Sequence, residues 1–223
     1  MSRYDRIAFS SVVLKWVTVL LIVKVLFSIL SNYPDYFPPN FESDFLLGRK
    51  AYFAGAYGFA FYTHILTTPF ALVSGLLLMS RSFRRKYPAK HRLIGKMHVI
   101  GILLLVVPSS LWMSAYAFTG HLAGAGFALL SLSTGYCVAM GWRRARERNF
   151  IKHRYWMTRC FVMLCSAVVL RLISGAATIM DADSVWTYPL AAWVAWIVPL
   201  FGLEFYDYCD RRAKGRWQRP PRG

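Results

Sequence analysis

The stretch Leu93–Phe118, LIGKMHVIGILLLVVPSSLWMSAYAF, decides the fold class. Most of it is apolar, and a helix needs about 20 such residues to cross the ~30 Å hydrocarbon layer of a membrane. Five other segments share this character, and the six predicted spans are Ser11–Leu30, Tyr52–Met79, Leu93–Phe118, Leu122–Trp142, Tyr155–Met180 and Trp186–Tyr206. The sequence therefore predicts an all-α, polytopic bundle of six transmembrane helices.

The composition agrees with a membrane protein and excludes two other classes. The chain has 223 residues, of which 57% are hydrophobic and only 17% are charged, yet the formal net charge is +17. A soluble domain of this size would not combine so apolar a chain with so one-sided a charge. Disordered chains are poor in aromatic residues, whereas 17% of this chain is Phe, Trp or Tyr.

The positions of the basic residues predict the orientation. They precede the first span, lie between spans two and three and between spans four and five, and follow span six. The opposite side has only Arg49 and Lys50, with several carboxylates. Because cytoplasmic loops carry the excess of Lys and Arg, both termini are predicted to be cytosolic. We expect one transmembrane domain over 1–206, a basic cytosolic tail over 207–223, and multi-pass insertion in a bacterial inner membrane.

Local signals within the spans predict three further features. Pro69 and Pro108 are expected to kink the second and third spans. The short connection Thr119–His121 predicts a tight turn, so that spans three and four form an antiparallel hairpin. The cysteines, which lie in spans or at the cytosolic side, are interpreted as small apolar residues and not as disulfides.

Polar residues inside the spans indicate where a ligand would bind, because ionisable groups in a bilayer are costly. At a rise of 1.5 Å per residue, one polar layer lies ~20–24 Å above the cytosolic ends of the helices, and it comprises His64, Arg171, Lys24, Ser109 and Ser110. Such a basic layer, in the outer third of the membrane, suits an anion, a lipid headgroup or the carbonyls of a quinone. The alternative is that Lys24 and Arg171 extend towards the membrane surface, where Asp181 and Asp183 would pair with Arg171.

Histidines nearer the cytosolic side raise the alternative of one b-type haem. His91, His98 and His153 are close in calculated depth, and Arg92, Arg154 or Arg159 would then bind the propionates. A two-haem arrangement needs four matched ligands, which the sequence does not supply. His64 has no histidine partner at its own depth, so a hydroxyl such as that of Ser109 would satisfy it.

The same residues suggest an anion site. The triplets Lys90-His91-Arg92 and Lys152-His153-Arg154 each precede an outward-running span, where arginines can hold a phosphate or carboxylate in bidentate fashion. The alternative is that both triplets only set the topology. No catalytic serine or cysteine constellation, phosphate-binding glycine loop or zinc motif is present, so no catalytic or metal residue is assigned and an enzyme is not favoured.

Several of these residues resemble a known pattern. The chain resembles a family of bacterial predicted membrane proteins classed as a domain of unknown function, through His64, His91, Arg92, Gly95, His153, Arg154, Met157, Arg159 and Arg171. The resemblance covers about Tyr62 to Ser174. It implies a multi-helix membrane domain and supplies no activity.

Three functional hypotheses follow from the residues. The leading one is binding of a lipophilic or anionic ligand, a quinone or lipid, by His64, Arg171, Lys24 and Ser109. The second is electron transfer by one b-type haem. The third is an accessory or assembly subunit of a membrane complex. The expected partners are the bilayer and anionic lipids at the basic face; nucleic acid is not expected, because no recognition fold accompanies the basic tail.

Overall fold

A computed structural model describes residues 3–43, 45–182 and 184–217. These residues are 83% helical and contain no strand. Asp44, Asp183 and residues 218–223, on which part of the charge analysis rests, lie outside the described residues, as do the side chains of Arg3, Arg6 and Lys15. The chain divides into two compact units, Met1–Phe59 and Ala60–Gly223, and each is described by itself.

Ten α-helices are found in the described ranges. They are α1 (Arg3–Ser31), α2 (Lys50–Phe53), α3 (Ala56–Met79), α4 (Arg81–Lys86), α5 (Pro88–Gly101), α6 (Val107–Ser114), α7 (His121–Arg146), α8 (Phe150–Leu164), α9 (Ser166–Ile179) and α10 (Thr187–Trp217). A 3₁₀ turn covers Tyr33–Asp35, and a π-helical turn joins α5 to α6 over Ile102–Val106.

The prediction of six membrane spans is confirmed. Six helical segments of the described chain are long and apolar enough to cross a membrane: Trp16–Asp35, Ala56–Met79, Pro88–Ser114, His121–Arg146, Phe150–Ile179 and Thr187–Arg212. They correspond one to one with the segments expected from the sequence, with ends that differ by several residues. The last helix continues past residue 207, where the sequence analysis began the tail.

The third span contains an irregularity next to Pro108. The backbone N–H of Val107 donates to the carbonyl of Ile102, five residues earlier, and α6 then begins with proline in its first turn. Proline has no N–H and cannot continue the ordinary ladder, so a π-turn is one way for the helix to remain continuous. The expected disturbance at Pro108 therefore takes the form of one extra residue in the helix.

Spans three and four form a close hairpin. The connection covers residues 115–120, which is longer than the expected three residues, and ends at Gly120 with a φ of 85°. A Cβ on Gly124 would lie 2.5 Å from the carbonyl oxygen of Ser114. Only glycine therefore permits this approach of α7 to the end of α6.

The fifth span is interrupted once, at Cys165. The helix α8 ends at Leu164 and α9 begins at Ser166, and the N–H of Val168 and that of Val169 both donate to the carbonyl of Cys165 at 2.9 and 3.1 Å. The sequence predicted one unbroken helix here, because the run of mostly apolar residues continues through Cys165.

The core of the second unit forms around α7, which packs against the α5–α6 span, α8 and α10. Small residues on α7 allow the neighbouring helices to approach it closely. The buried ones include Ala123, Gly124, Gly126, Gly135 and Gly141. The apolar cluster at its centre comprises Ala71, Val99, Ile102, Val106, Cys137, Val138, Cys160 and Met163. The buried cysteines thus occupy apolar core positions.

The first unit places one arginine among aromatic rings. Arg49 is buried, its Nε donates to the carbonyl of Phe45 at 2.7 Å, and its Nη1 donates to the hydroxyls of Tyr57 at 3.0 Å and Tyr52 at 3.3 Å. Its guanidinium also lies 4.8 Å from the centre of the Phe45 ring. The cation–π contact and these three hydrogen bonds give Arg49 a structural role in this unit.

Candidate functional site

Two histidine–serine pairs connect α3 to the third span. In the upper pair, Nδ1 of His64 lies 3.0 Å from Oγ of Ser110. In the lower pair, Nδ1 of His98 lies 2.8 Å from Oγ of Ser74, and both side chains are buried. Helix α3 supplies the histidine of one pair and the serine of the other.

The partner of His64 is Ser110, one residue beyond the one expected from the sequence. Ser109 Oγ donates within its own helix, to the carbonyls of Leu105 at 2.6 Å and Val106 at 3.1 Å. Hydroxyl groups in membrane helices commonly satisfy themselves in this way. His64 therefore forms its hydrogen bond with Ser110, and not with Ser109 as expected.

The π-turn brings His98 and Ser110 to one face of the third span. Twelve residues separate them, which would place them about 120° apart around an unbroken α-helix. Because the π-turn accommodates one extra residue, the angle falls to about 20°. Both residues can then reach α3, which explains why the irregularity lies between them.

Arg171 lies close enough to His64 to act on it electrostatically. Its side chain is exposed, and its Nη1 donates to the carbonyl of Ala167 at 3.2 Å. The sequence analysis also selected Lys24, which lies on α1 in the first unit with its side chain exposed. In the second unit, His64 is thus hydrogen-bonded to Ser110, and the exposed Arg171 lies within electrostatic range of His64, where the sequence predicted a cavity.

Arg159 occupies the centre of an ion-pair cluster that the sequence analysis did not find. Its Nε donates to Glu204 at 2.6 Å, its Nη2 donates to Asp207 at 2.9 Å, and its Nη1 donates to the carbonyl of Tyr155 at 3.0 Å. The guanidinium also lies 3.2 Å from the centre of the Tyr155 ring. Within the described chain, Arg159 therefore links α8 to α10 through ion pairs. The sequence had instead suggested that it binds haem propionates or another anion.

A sequence signal for this cluster exists in the last span. Glu204 and Asp207 are three residues apart and so share a helical face. They follow a long apolar run, where carboxylates need a cationic partner. Neither carboxylate is among the site residues expected from the sequence.

The histidines of the two Lys-His-Arg triplets lie in the first turns of α5 and α8. Nδ1 of His153 donates to the carbonyl of Gly141 at 2.8 Å. Nδ1 of His91 is buried and has no hydrogen-bond partner among the described residues. The neighbouring Arg92 and Arg154 are exposed.

Glu147, the first residue after α7, forms ion pairs with two arginines in the last turn of that helix. Glu147 accepts from Nε of Arg143 at 3.0 Å and from Nη1 of Arg144 at 2.7 Å. These hydrogen bonds hold the pKa of the Glu147 carboxyl below its usual range. The carboxylate in this loop is therefore already engaged by arginines.

A haem does not fit the surroundings of His98. A Cβ added to Gly75 would lie 3.4 Å from Cε1 of His98 and 3.0 Å from Cδ2 of Phe161, so α3, α5 and α8 are in contact around this imidazole. A porphyrin plane needs a gap beside its axial ligand, and the contact of these helices leaves none on the side of His98 that faces Gly75. The described residues also contain no group of three His, Cys, Asp or Glu side chains placed to hold a metal ion.

Comparison with known proteins gives a family without an activity. Residues 61–206 match the family described as "Predicted membrane protein (DUF2306)". The matched segment contains both histidine–serine pairs, Arg159, Arg171 and Glu204. No curated protein and no solved structure matches the chain. The chain therefore belongs to this family of predicted membrane proteins, a domain of unknown function.

Proposed function

We propose that the protein binds a lipophilic ligand, a quinone or a lipid, at the face formed by His64, Ser110 and Arg171. The observation that carries the proposal is the 3.0 Å hydrogen bond between His64 and Ser110 inside two apolar spans. Polar pairs at this depth are costly and commonly mark ligand or ion sites. Arg171, within electrostatic range of His64, adds a permanent positive charge.

The chemistry of this group suits a carbonyl or an anionic head. When the Ser110 hydroxyl donates to Nδ1 of His64, the neutral imidazole carries its proton on Nε2. Nε2 then donates to a ligand oxygen, and the guanidinium of Arg171 donates to a second oxygen. The exposed side chain of Arg171 makes the group accessible from the lipid phase. The proposal rests on these three residues, because Lys24 belongs to the other compact unit.

Replacement of His64 tests the proposal by titration. A short-chain ubiquinone added to the purified protein in detergent should quench tryptophan fluorescence saturably. We expect His64→Ala and Arg171→Ala to weaken this binding about tenfold, the effect of losing one charge-assisted or well-placed hydrogen bond. Ser110→Ala should weaken it by a smaller factor, since the imidazole remains.

The matched control for the histidine is His121→Ala, an exposed residue at the start of α7. It should leave the affinity for the quinone unchanged. Ser109→Ala is compared with Ser110→Ala, and the geometry predicts the larger loss at Ser110. Equal affinity of wild type, His64→Ala and Arg171→Ala would contradict the proposal.

The proposal includes the orientation expected from charge, with both termini cytosolic in a bacterial inner membrane. The basic clusters of α4 and of the α7–α8 loop support it. We predict that Ser82→Cys reacts with a membrane-impermeant maleimide only in inside-out vesicles, and that Ala182→Cys reacts only in intact spheroplasts. Cys209→Ser serves as the background for both, and the reverse labelling pattern would refute this orientation.

Anionic lipids at the basic face remain the expected membrane partners, because each nearby Lys or Arg contributes about 1 kcal/mol of attraction. The hypothesis of an accessory subunit stays a prediction that co-purification tests. We propose no haem at His98, because α3, α5 and α8 are in contact beside its imidazole.

A further inference from the structure

The first turns of α5 and α8 lie at one level of the bundle. His98 on α5 and Phe161 on α8 both contact the position of Gly75. His91 lies seven residues before His98, and His153 lies eight residues before Phe161, so each is two turns nearer the start of its helix. As alternate spans, the two helices run in the same direction. The geometry therefore brings His91 and His153 near each other.

The surroundings of His91 are positively charged. Arg84 and His153 both lie close enough to His91 to act on it electrostatically. The His91 ring also lies 6.5 Å from the ring of Phe83, which holds the short helix α4 against it. Within the described residues, no carboxylate forms an ion pair with either histidine or accepts a hydrogen bond from it. Glu147 is engaged by Arg143 and Arg144.

One atom in this cluster lacks the partner that burial demands. Nδ1 of His91 is buried and makes no hydrogen bond in the described chain. Nδ1 of His153 donates to Gly141, which leaves its Nε2 for another partner. A buried polar atom without a partner is rarely tolerated in a folded protein. A group from outside the chain would satisfy both nitrogens, and the cationic surroundings select an anion.

We infer that His91, His153 and Arg84 bind a phosphate group, and that the cluster is a second site, separate from the face around His64. Its level supports this chemistry, because the first turns of membrane-spanning helices lie where lipid phosphates lie. Each of the three side chains donates to phosphate oxygen when protonated. The phosphate belongs either to an anionic lipid headgroup or to a free phosphate ion.

Native mass spectrometry of the full chain in a neutral detergent tests the site. Dioctanoyl phosphatidylglycerol is titrated in one arm and inorganic phosphate in the other. We expect one saturable site in the wild type, weakened about tenfold by Arg84→Ala or His91→Ala. His91→Asn, which keeps a donor near the position of Nδ1, should recover most of the affinity.

The matched control is Arg85→Ala, which removes the same charge from the adjacent, exposed position of α4. It should change the affinity less than about twofold, as expected for a screened surface charge. Binding of the lipid but not of inorganic phosphate identifies a lipid headgroup; binding of both with the same dependence on Arg84 and His91 identifies the phosphate group itself. Equal weakening by Arg84→Ala and Arg85→Ala, or no saturable binding of either probe, would overturn the inference.

Discussion

Replacement of Arg159 by alanine is expected to lower the free energy of unfolding by about 1.5–3 kcal/mol, less than for a fully buried ion pair, because Glu204 and Asp207 are partly exposed. The side chain of Arg159 is only 5% exposed and donates to Glu204, Asp207 and the carbonyl of Tyr155. Its removal leaves two carboxylates about one helical turn apart on the last span, without their cation. Denaturant titration of the purified protein in detergent measures the loss.

The control for Arg159 is an ion pair at the surface. Arg143 is 67% exposed in its pair with Glu147, and ion pairs this exposed contribute little to stability because solvent screens them. Arg143→Ala should therefore leave the unfolding curve nearly unchanged. Loss of equal size in the two variants would contradict the structural role of Arg159.

The carboxylates of this cluster should matter less when changed singly. Glu204 and Asp207 are 42% and 32% exposed, and Arg159 keeps one partner when the other is neutralised. We expect Glu204→Gln and Asp207→Asn to cost about 1 kcal/mol each. A triple variant combines Arg159→Met with Glu204→Gln and Asp207→Asn. It should recover much of the stability lost in Arg159→Ala, because no unpaired charge then remains in the cluster.

Replacement of His98 by alanine is expected to cost about 2–4 kcal/mol of unfolding free energy, in the range of large-to-small changes in a packed core. The side chain is 2% exposed and hydrogen-bonds Ser74. Ser74→Ala should cost about 1 kcal/mol, since it removes the hydrogen bond without opening a large cavity.

The exposed His121 provides the control for His98. His121→Ala should leave the stability unchanged. The visible spectrum of the reduced and oxidised protein, purified after expression with ample haem, completes the comparison. A haem band that disappears in His98→Ala, with stability unaffected, would show that His98 is a ligand and would contradict its role as a core residue.

The length of the apolar runs was sufficient to predict the six spans, because about 20 consecutive, mostly apolar residues have few other structural outcomes. It was not sufficient for the interruptions. The π-turn at Ile102–Val106 and the break at Cys165 depend on how neighbouring helices pack, and no local residue pattern distinguishes them from continuous helix. The proline at position 108 indicated only that some irregularity would occur.

The hydrogen-bond partner of His64 could be predicted only in part, because residue counting gives the depth of a side chain and not its direction around the helix. Counting residues placed His64 at the level of Ser109 and Ser110, but the choice between the two serines depends on rotation around the helix. The π-turn changes that rotation, so Ser110 became the partner. Depth also could not reveal that Arg171 is exposed, since exposure is set by the neighbouring helices.

We propose above all that a lipophilic ligand is held by His64, Ser110 and Arg171. The most direct test is solvent extraction and mass spectrometry of whatever molecule co-purifies with the protein expressed without added ligand. We expect a quinone or lipid in near-stoichiometric amount in the wild type and in His121→Ala, and at least about a tenfold reduction in His64→Ala. The same molecule in the same amount in wild type and His64→Ala would contradict it.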